Sequence, residues 1–128
     1  MSVSSRIIVG LTIDLGSNLT AADFKRLHAL EEKYPEIDEA NYNEEDRTGR
    51  ILLIYDGMCS KFARLVFVDK YIEGGNLGKG NSEVIELAAP KSCFNPEVVD
   101  KMFNIYEEYH DHRPAICDFR YAMWSQWY

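Results

Sequence analysis

Residues 107–114 read EEYHDHRP, and no other stretch of the chain gathers so many groups able to do chemistry. Two carboxylates precede His110, Asp111, His112 and Arg113, and Pro114 closes the run. Such a set could hold a metal ion, pass a proton, or end a helix. Helical spacing puts His110 in the last turn of the helix before it. Arg113, preceding a proline, is pushed out of helical conformation. His110, His112 and Arg113 thus gather at a helix C-terminus, where cations are stabilised by ~0.3–1 kcal/mol. Histidines at i and i+2 diverge on a helix and share a side only on extended backbone. A zinc site needs further ligands, and the chain has no H-E-x-x-H and no paired Cys to supply them. Helix termination is the favoured reading, ahead of a small metal-dependent or acid–base enzyme at His110 and His112. No metal and no cofactor is expected.

The three cysteines, Cys59, Cys93 and Cys117, are far apart and odd in number, which fits reduced thiols in a cytosol. Free Cys behaves as a small buried or half-buried hydrophobe.

Two loops offer anion-binding chemistry. DLGSNLT, residues 14–20, joins a strand to a helix, where Ser17, Asn18 and Thr20 supply donors to an anion that Asp14 would oppose. GGNLGKGN, residues 74–81, provides glycine amides and Lys79, but the phosphate-loop spacing fails because residue 73 is Glu and residue 80 is Gly. Capping and turn formation explain both stretches, so a sensor or sequestering protein for an anionic metabolite or nucleotide ranks second.

The charge is more telling. The net charge is −7, and residues 31–46, with eight acidic side chains and one lysine, carry all of it. The rest of the chain balances. An acidic stripe repels nucleic acid and attracts basic surfaces over about 10 Å at 0.1 M salt. The leading expectation is therefore a non-enzymatic inhibitor. It would engage the basic groove of a nucleic-acid-handling protein as a phosphate mimic, through Glu36, Asp38, Glu39, Glu44, Glu45 and Asp46. A viral or mobile-element source would fit that build. Direct nucleic-acid or membrane contact is not expected, and IIVGLTI is too short for a membrane span. A cytoplasmic protein follows.

These groups are positioned by one domain of 128 residues with 46% hydrophobic content. RIIVGLTIDL alternates, with Ile7, Val9, Leu11, Ile13 and Leu15 on the apolar face and Arg6, Ile8, Gly10, Thr12 and Asp14 opposite. Thr20 and Asp23 start a helix over 20–34, whose stripe is Phe24, Leu27, Leu30 and Tyr34 and whose end is Pro35. His28 lies on its flank, half-exposed. The acidic stretch 36–49 reads as a loop. RILLIYD is continuously apolar, as a central strand covered on both faces would be. KFARLVFVDKY completes a hairpin with it, and SEVIELA gives a shorter strand. Asn95-Pro96-Glu97 opens a helix over 96–111. The end, ICDFRYAMWSQWY, alternates again, with Cys117, Phe119, Tyr121 and Met123 on one face. The order predicts an α+β fold of ferredoxin-like split βαβ type, a mainly antiparallel sheet of four to five strands with two helices on one face. The aromatic tail and long strand edges predict a homodimer.

Overall fold

The computed structural model describes residues 5–41, 47–56, 61–75, 77–78 and 84–127, without the side chains of residues 41, 93, 126 and 127. Its elements are β1 (Ser5–Gly16), α1 (Ala21–Lys33), β2 (Ile51–Asp56), β3 (Phe62–Glu73), β4 (Ile85–Leu87), α2 (Pro96–His110) and β5 (Arg120–Trp127). Short 3-10 turns at Pro35–Ile37, Glu39–Asn41, Lys91–Cys93 and Ile116–Asp118 join them. Every neighbouring strand pair is antiparallel, and the order is β2-β3-β1-β5-β4. Helix α1 therefore links two parallel strands, β1 and β2, with β3 between them. Helix α2 links β3 and β5 with β1 between them. That is the split βαβ arrangement, with β4 added outside it, so the order is not a strict ferredoxin-like one. Among the described residues no helix is long and apolar enough to cross a membrane.

Local chemistry sets the helix ends. Thr20 and Asp23 form a full capping box, and Pro35 follows one residue after the C-cap. The Asn95 side chain accepts the Glu97 N–H at 3.0 Å, with Pro96 at the first helical position. Helix α2 ends earlier than Pro114 requires: Asp111 takes a left-handed conformation (φ 61°) and its N–H returns to the Glu107 carbonyl.

Both helices cover one face of the sheet. Leu27 and Leu30 of α1 and Val99, Met102, Ile105 and Tyr109 of α2 pack on Val9, Leu11, Ile13 and Leu15. The opposite face was expected to be the weaker side of β1. It holds a second core of Ile8, Leu52, Ile54, Phe62, Val66, Val68 and Trp124, without a helix among the described residues to cover it.

The strand register explains how. Arg64 lies opposite Asp14 of β1, and Trp124 lies opposite Ile8. On a flat strand those positions, six residues apart, are separated by about 20 Å. Yet the Arg64 guanidinium carbon sits 4.7 Å from the Trp124 ring. The sheet must coil so that the start of β1 and the end of β3 fold over this face. The coil begins at a bulge between Val9 and Gly10, where Asp69 is the extra residue on β3. Gly10 approaches the Phe67 carbonyl so closely that an added Cβ would lie 2.0 Å from its oxygen. Inside the coil, Arg64 is 3% exposed and stacks on Phe62 as well as Trp124. Desolvation lowers its pKa to about 10, although Asp14 pulls the other way.

The continuously apolar β2 is covered on both faces, but it is an edge strand, not a central one. Its free edge is shielded by the acidic segment, where Asp38 forms a parallel bridge to Leu53. Ile37, fully buried, anchors that segment. Residues 36–41 are therefore structured, where a loop was expected. Replacing Ile37 by Ala should cost about 2–4 kcal/mol and open the β2 edge, which urea unfolding would register.

Candidate functional site

The opening cluster divides into separate contacts. Arg113 stacks over Phe103 and pairs with Glu107 at 2.9 Å. His110 turns inward, and its Nε2 lies 2.6 Å from the Leu15 carbonyl oxygen. Burial lowers its pKa, so the cation expected there from the helix dipole is not favoured. Among the described residues, no group of three or more His, Cys, Asp and Glu is placed to share a metal ion. His28 is exposed and meets the Tyr55 ring edge-on.

The candidate ligand loops are not brought together as a site. Thr20 spends its hydroxyl on the capping box. Ser17 and Asn18 are exposed, and Asn18 takes the left-handed conformation of a turn (φ 52°). Asp14 is held by Arg120 at 2.7 Å. Lys79 lies outside the described residues. So does Cys59. Cys117, expected to be buried or half-buried on one face of the last strand, is exposed in the 3-10 turn before β5 begins. In the tail, Trp124 is fully buried in the second core.

The acidic segment, by contrast, borders a cleft of about 380 Å³ lined by Arg6, Glu31, Asp38, Glu39, Arg47 and Tyr55, among others. Glu31 comes from the last turns of α1, Tyr55 from the end of β2, and Arg6 from the start of β1, which the coiled sheet carries over to β2. The Tyr55 hydroxyl donates to Glu31 at 2.5 Å. Burial raises the Glu31 pKa, Tyr55 opposes, and the neighbouring Asp38 carboxylate raises it further. The Tyr55 phenol is pushed up as well, by burial and then by Glu31. The Asp38 side chain accepts the Ala40 N–H at 3.0 Å.

The two arginines are committed elsewhere in the same cleft. Arg6, 6% exposed, pairs with Glu39 and donates to the Tyr71 hydroxyl at 2.6 Å. Arg47 donates to the same hydroxyl at 2.8 Å and approaches Glu73 at 3.9 Å. Burial holds the Glu39 pKa above the usual carboxylate range despite both arginines. Glu36 points the other way and pairs with Lys101 at 2.9 Å, whose hydrogen bond lowers its pKa. Glu44, Glu45 and Asp46 lie outside the described residues.

Of the six acidic residues read as a contact surface, Asp38 borders the cleft, Glu39 is internally paired and Glu36 is bonded to α2. The sequence reading missed Arg6, Arg47, Tyr55 and Tyr71. An arginine on an otherwise apolar strand was the available signal for Arg6.

No family model, no curated protein and no solved structure matches this chain.

Proposed function

We propose that this protein is a non-enzymatic binding module that engages a basic protein surface through the acidic segment and its cleft. The supporting observation is the Glu31–Asp38 pair. The carboxyl groups converge at the cleft, Asp38 adds to the burial that raises Glu31, and the nearby arginines are already engaged with Glu39, Tyr71 and Glu73. Negative charge is thus in excess there, and Glu32 on α1 and the run 44–46 extend it along the sequence. A guanidinium or ammonium group would relieve that excess, with the Tyr55 ring as an aromatic wall. The partner class is a nucleic-acid-handling protein, whose surface is shaped for phosphates. Of the eight acidic residues of the stripe, Glu36 and Glu39 drop out of the contact set because their carboxylates serve Lys101 and Arg6. Glu31 and Glu32 stay in it.

The test compares the parent with a variant carrying Glu31→Gln, Glu32→Gln, Asp38→Asn, Glu44→Gln, Glu45→Gln and Asp46→Asn. Association with a panel of basic DNA-binding domains is followed at 50 mM and 300 mM salt. The variant should associate about tenfold more slowly at low salt and lose most of its salt dependence, because steering acts on the on-rate. Duplex DNA should compete with the parent for the same domains. Equal on-rates for parent and variant would refute the reading.

A further inference from the structure

The end of α2 is fastened to the junction between β1 and α1 through His110. With its proton on Nε2, the neutral ring donates to the Leu15 carbonyl across 2.6 Å. The ring lies 4.5 Å from Tyr106, meets Tyr109 edge-on at 4.7 Å, and is tilted 32° to His112 at 5.5 Å. Tyr106 in turn meets His112 edge-on at 5.6 Å. From α1, Asp23 and Arg26 face the same ring. Asp23 is bound within the capping box, and Arg26 donates to the Tyr109 carbonyl. Immediately beyond, the left-handed Asp111 stops the helix, so no further helical turn braces the ring.

We propose that His110 is the pin of a proton-operated clasp: with its ring neutral it holds the end of α2 on the β1–α1 junction, and proton uptake by that ring releases it.

Burial makes the closed clasp resist protons: it holds the His110 pKa below the ordinary value even though the Leu15 carbonyl and Asp23 favour the charged ring. The neighbouring His112 ring and the Arg26 guanidinium add smaller contributions in the same direction. Released into water, the ring returns to a pKa near about 6.5. The open form therefore binds more protons than the closed form once the pH falls below that value. The clasp is at full strength above about pH 6.5, weakens as the pH drops toward the lowered pKa of the closed form, and weakens no further below it. For one proton the opening constant rises by at most about tenfold per pH unit. Glu31 and Glu39, whose pKa values are raised, act with the opposite sign, so acid strengthens their contribution.

The test is amide hydrogen exchange on the full chain at pH 7.5 and pH 5.5, corrected for intrinsic rates, with an NMR titration of the His110 ring. Protection at Tyr109, His110 and Asp111 should fall in acid, by at most about tenfold, while the first half of α2 keeps its protection. His110→Gln places a non-titrating donor near Nε2 and should remove the pH dependence. His112→Gln removes the repulsion and should raise the His110 pKa. The inference is overturned by a His110 ring that titrates at or above about 6.5 in the folded chain, by equal corrected protection at both pH values, or by a His110→Gln variant with the parent's pH response. The ring titration is read on the parent chain, so it decides the matter even if His110→Gln fails to fold.

Discussion

Gly10→Ala is expected to destabilise this protein by about 4 kcal/mol or more, an exceptional loss for one methyl group on a strand. The reason is geometric. The new Cβ would lie 2.0 Å from the Phe67 carbonyl oxygen and 2.9 Å from Val66 Cγ2. The oxygen belongs to the backbone of the paired strand, so no rotamer change relieves the clash. Either the β1–β3 ladder opens at the bulge or the coil relaxes. A relaxed coil would separate Ile8 and Trp124 from Leu52, Ile54 and Phe62, and so expose the second core. For a chain of this size the melting temperature should fall by more than about 12 °C. Gly49→Ala is the control. Gly49 has φ +82° and nothing within 4 Å of an added Cβ, so its loss should be about 1 kcal/mol, from conformation alone. Equal losses for the two variants in urea unfolding would show that the Gly10 contact yields easily and that the coil does not depend on it.

The same residue marks where sequence reading stopped. Both helices were legible because their signals are local: Thr20 with Asp23, and Asn95 with Pro96, each act within a few residues. The strand set and the side taken by the helices followed from alternation and order. The second core did not. Ile8, Gly10 and Thr12 alternate with the stronger apolar set and look like the weaker face of a half-exposed strand. What buries them is a coil set by a bulge against Asp69, some sixty positions away, and no local pattern encodes that pairing. The apolar run 51–54 is covered on both faces, as its continuity implies, but lies at the edge of the sheet and not at its centre. Its edge is protected by residues 36–41, whose acidic composition resembles a solvated loop while Ile37 ties them down. The candidate site was half legible for the same reason. The acidic residues are contiguous and visible, whereas Arg6 reaches Glu39 and Tyr71 only across distant stretches of chain.

That meeting of distant charges leads to the second large effect. Arg6→Met keeps most of the side-chain stem but removes the guanidinium. At pH 7.5 it should lower the unfolding free energy by about 3 kcal/mol, because it strands the half-buried Glu39 carboxylate and takes a hydrogen bond from Tyr71. Arg47 remains as a partial compensation. The pH dependence identifies the cause. Burial already raises the Glu39 pKa, and losing Arg6 must raise it more. A carboxyl group with a raised folded pKa contributes stability that is fully present in acid and is lost as the pH rises through that pKa. The gap between parent and Arg6→Met should therefore shrink as the pH falls from 7.5 to 5 and Glu39 takes up a proton. The His110 contribution is common to both chains and cancels in the difference. Adding Glu39→Gln to Arg6→Met removes the stranded charge and should recover much of the loss at pH 7.5. Lys101→Met breaks the Glu36 pair, whose side chains are both 42% exposed, and should change stability by no more than about 0.5 kcal/mol. A flat gap from pH 7.5 to pH 5, or an Arg6→Met loss no larger than that of Lys101→Met, would mean that the Arg6–Glu39 pair does not hold the coiled end of the sheet against the acidic segment.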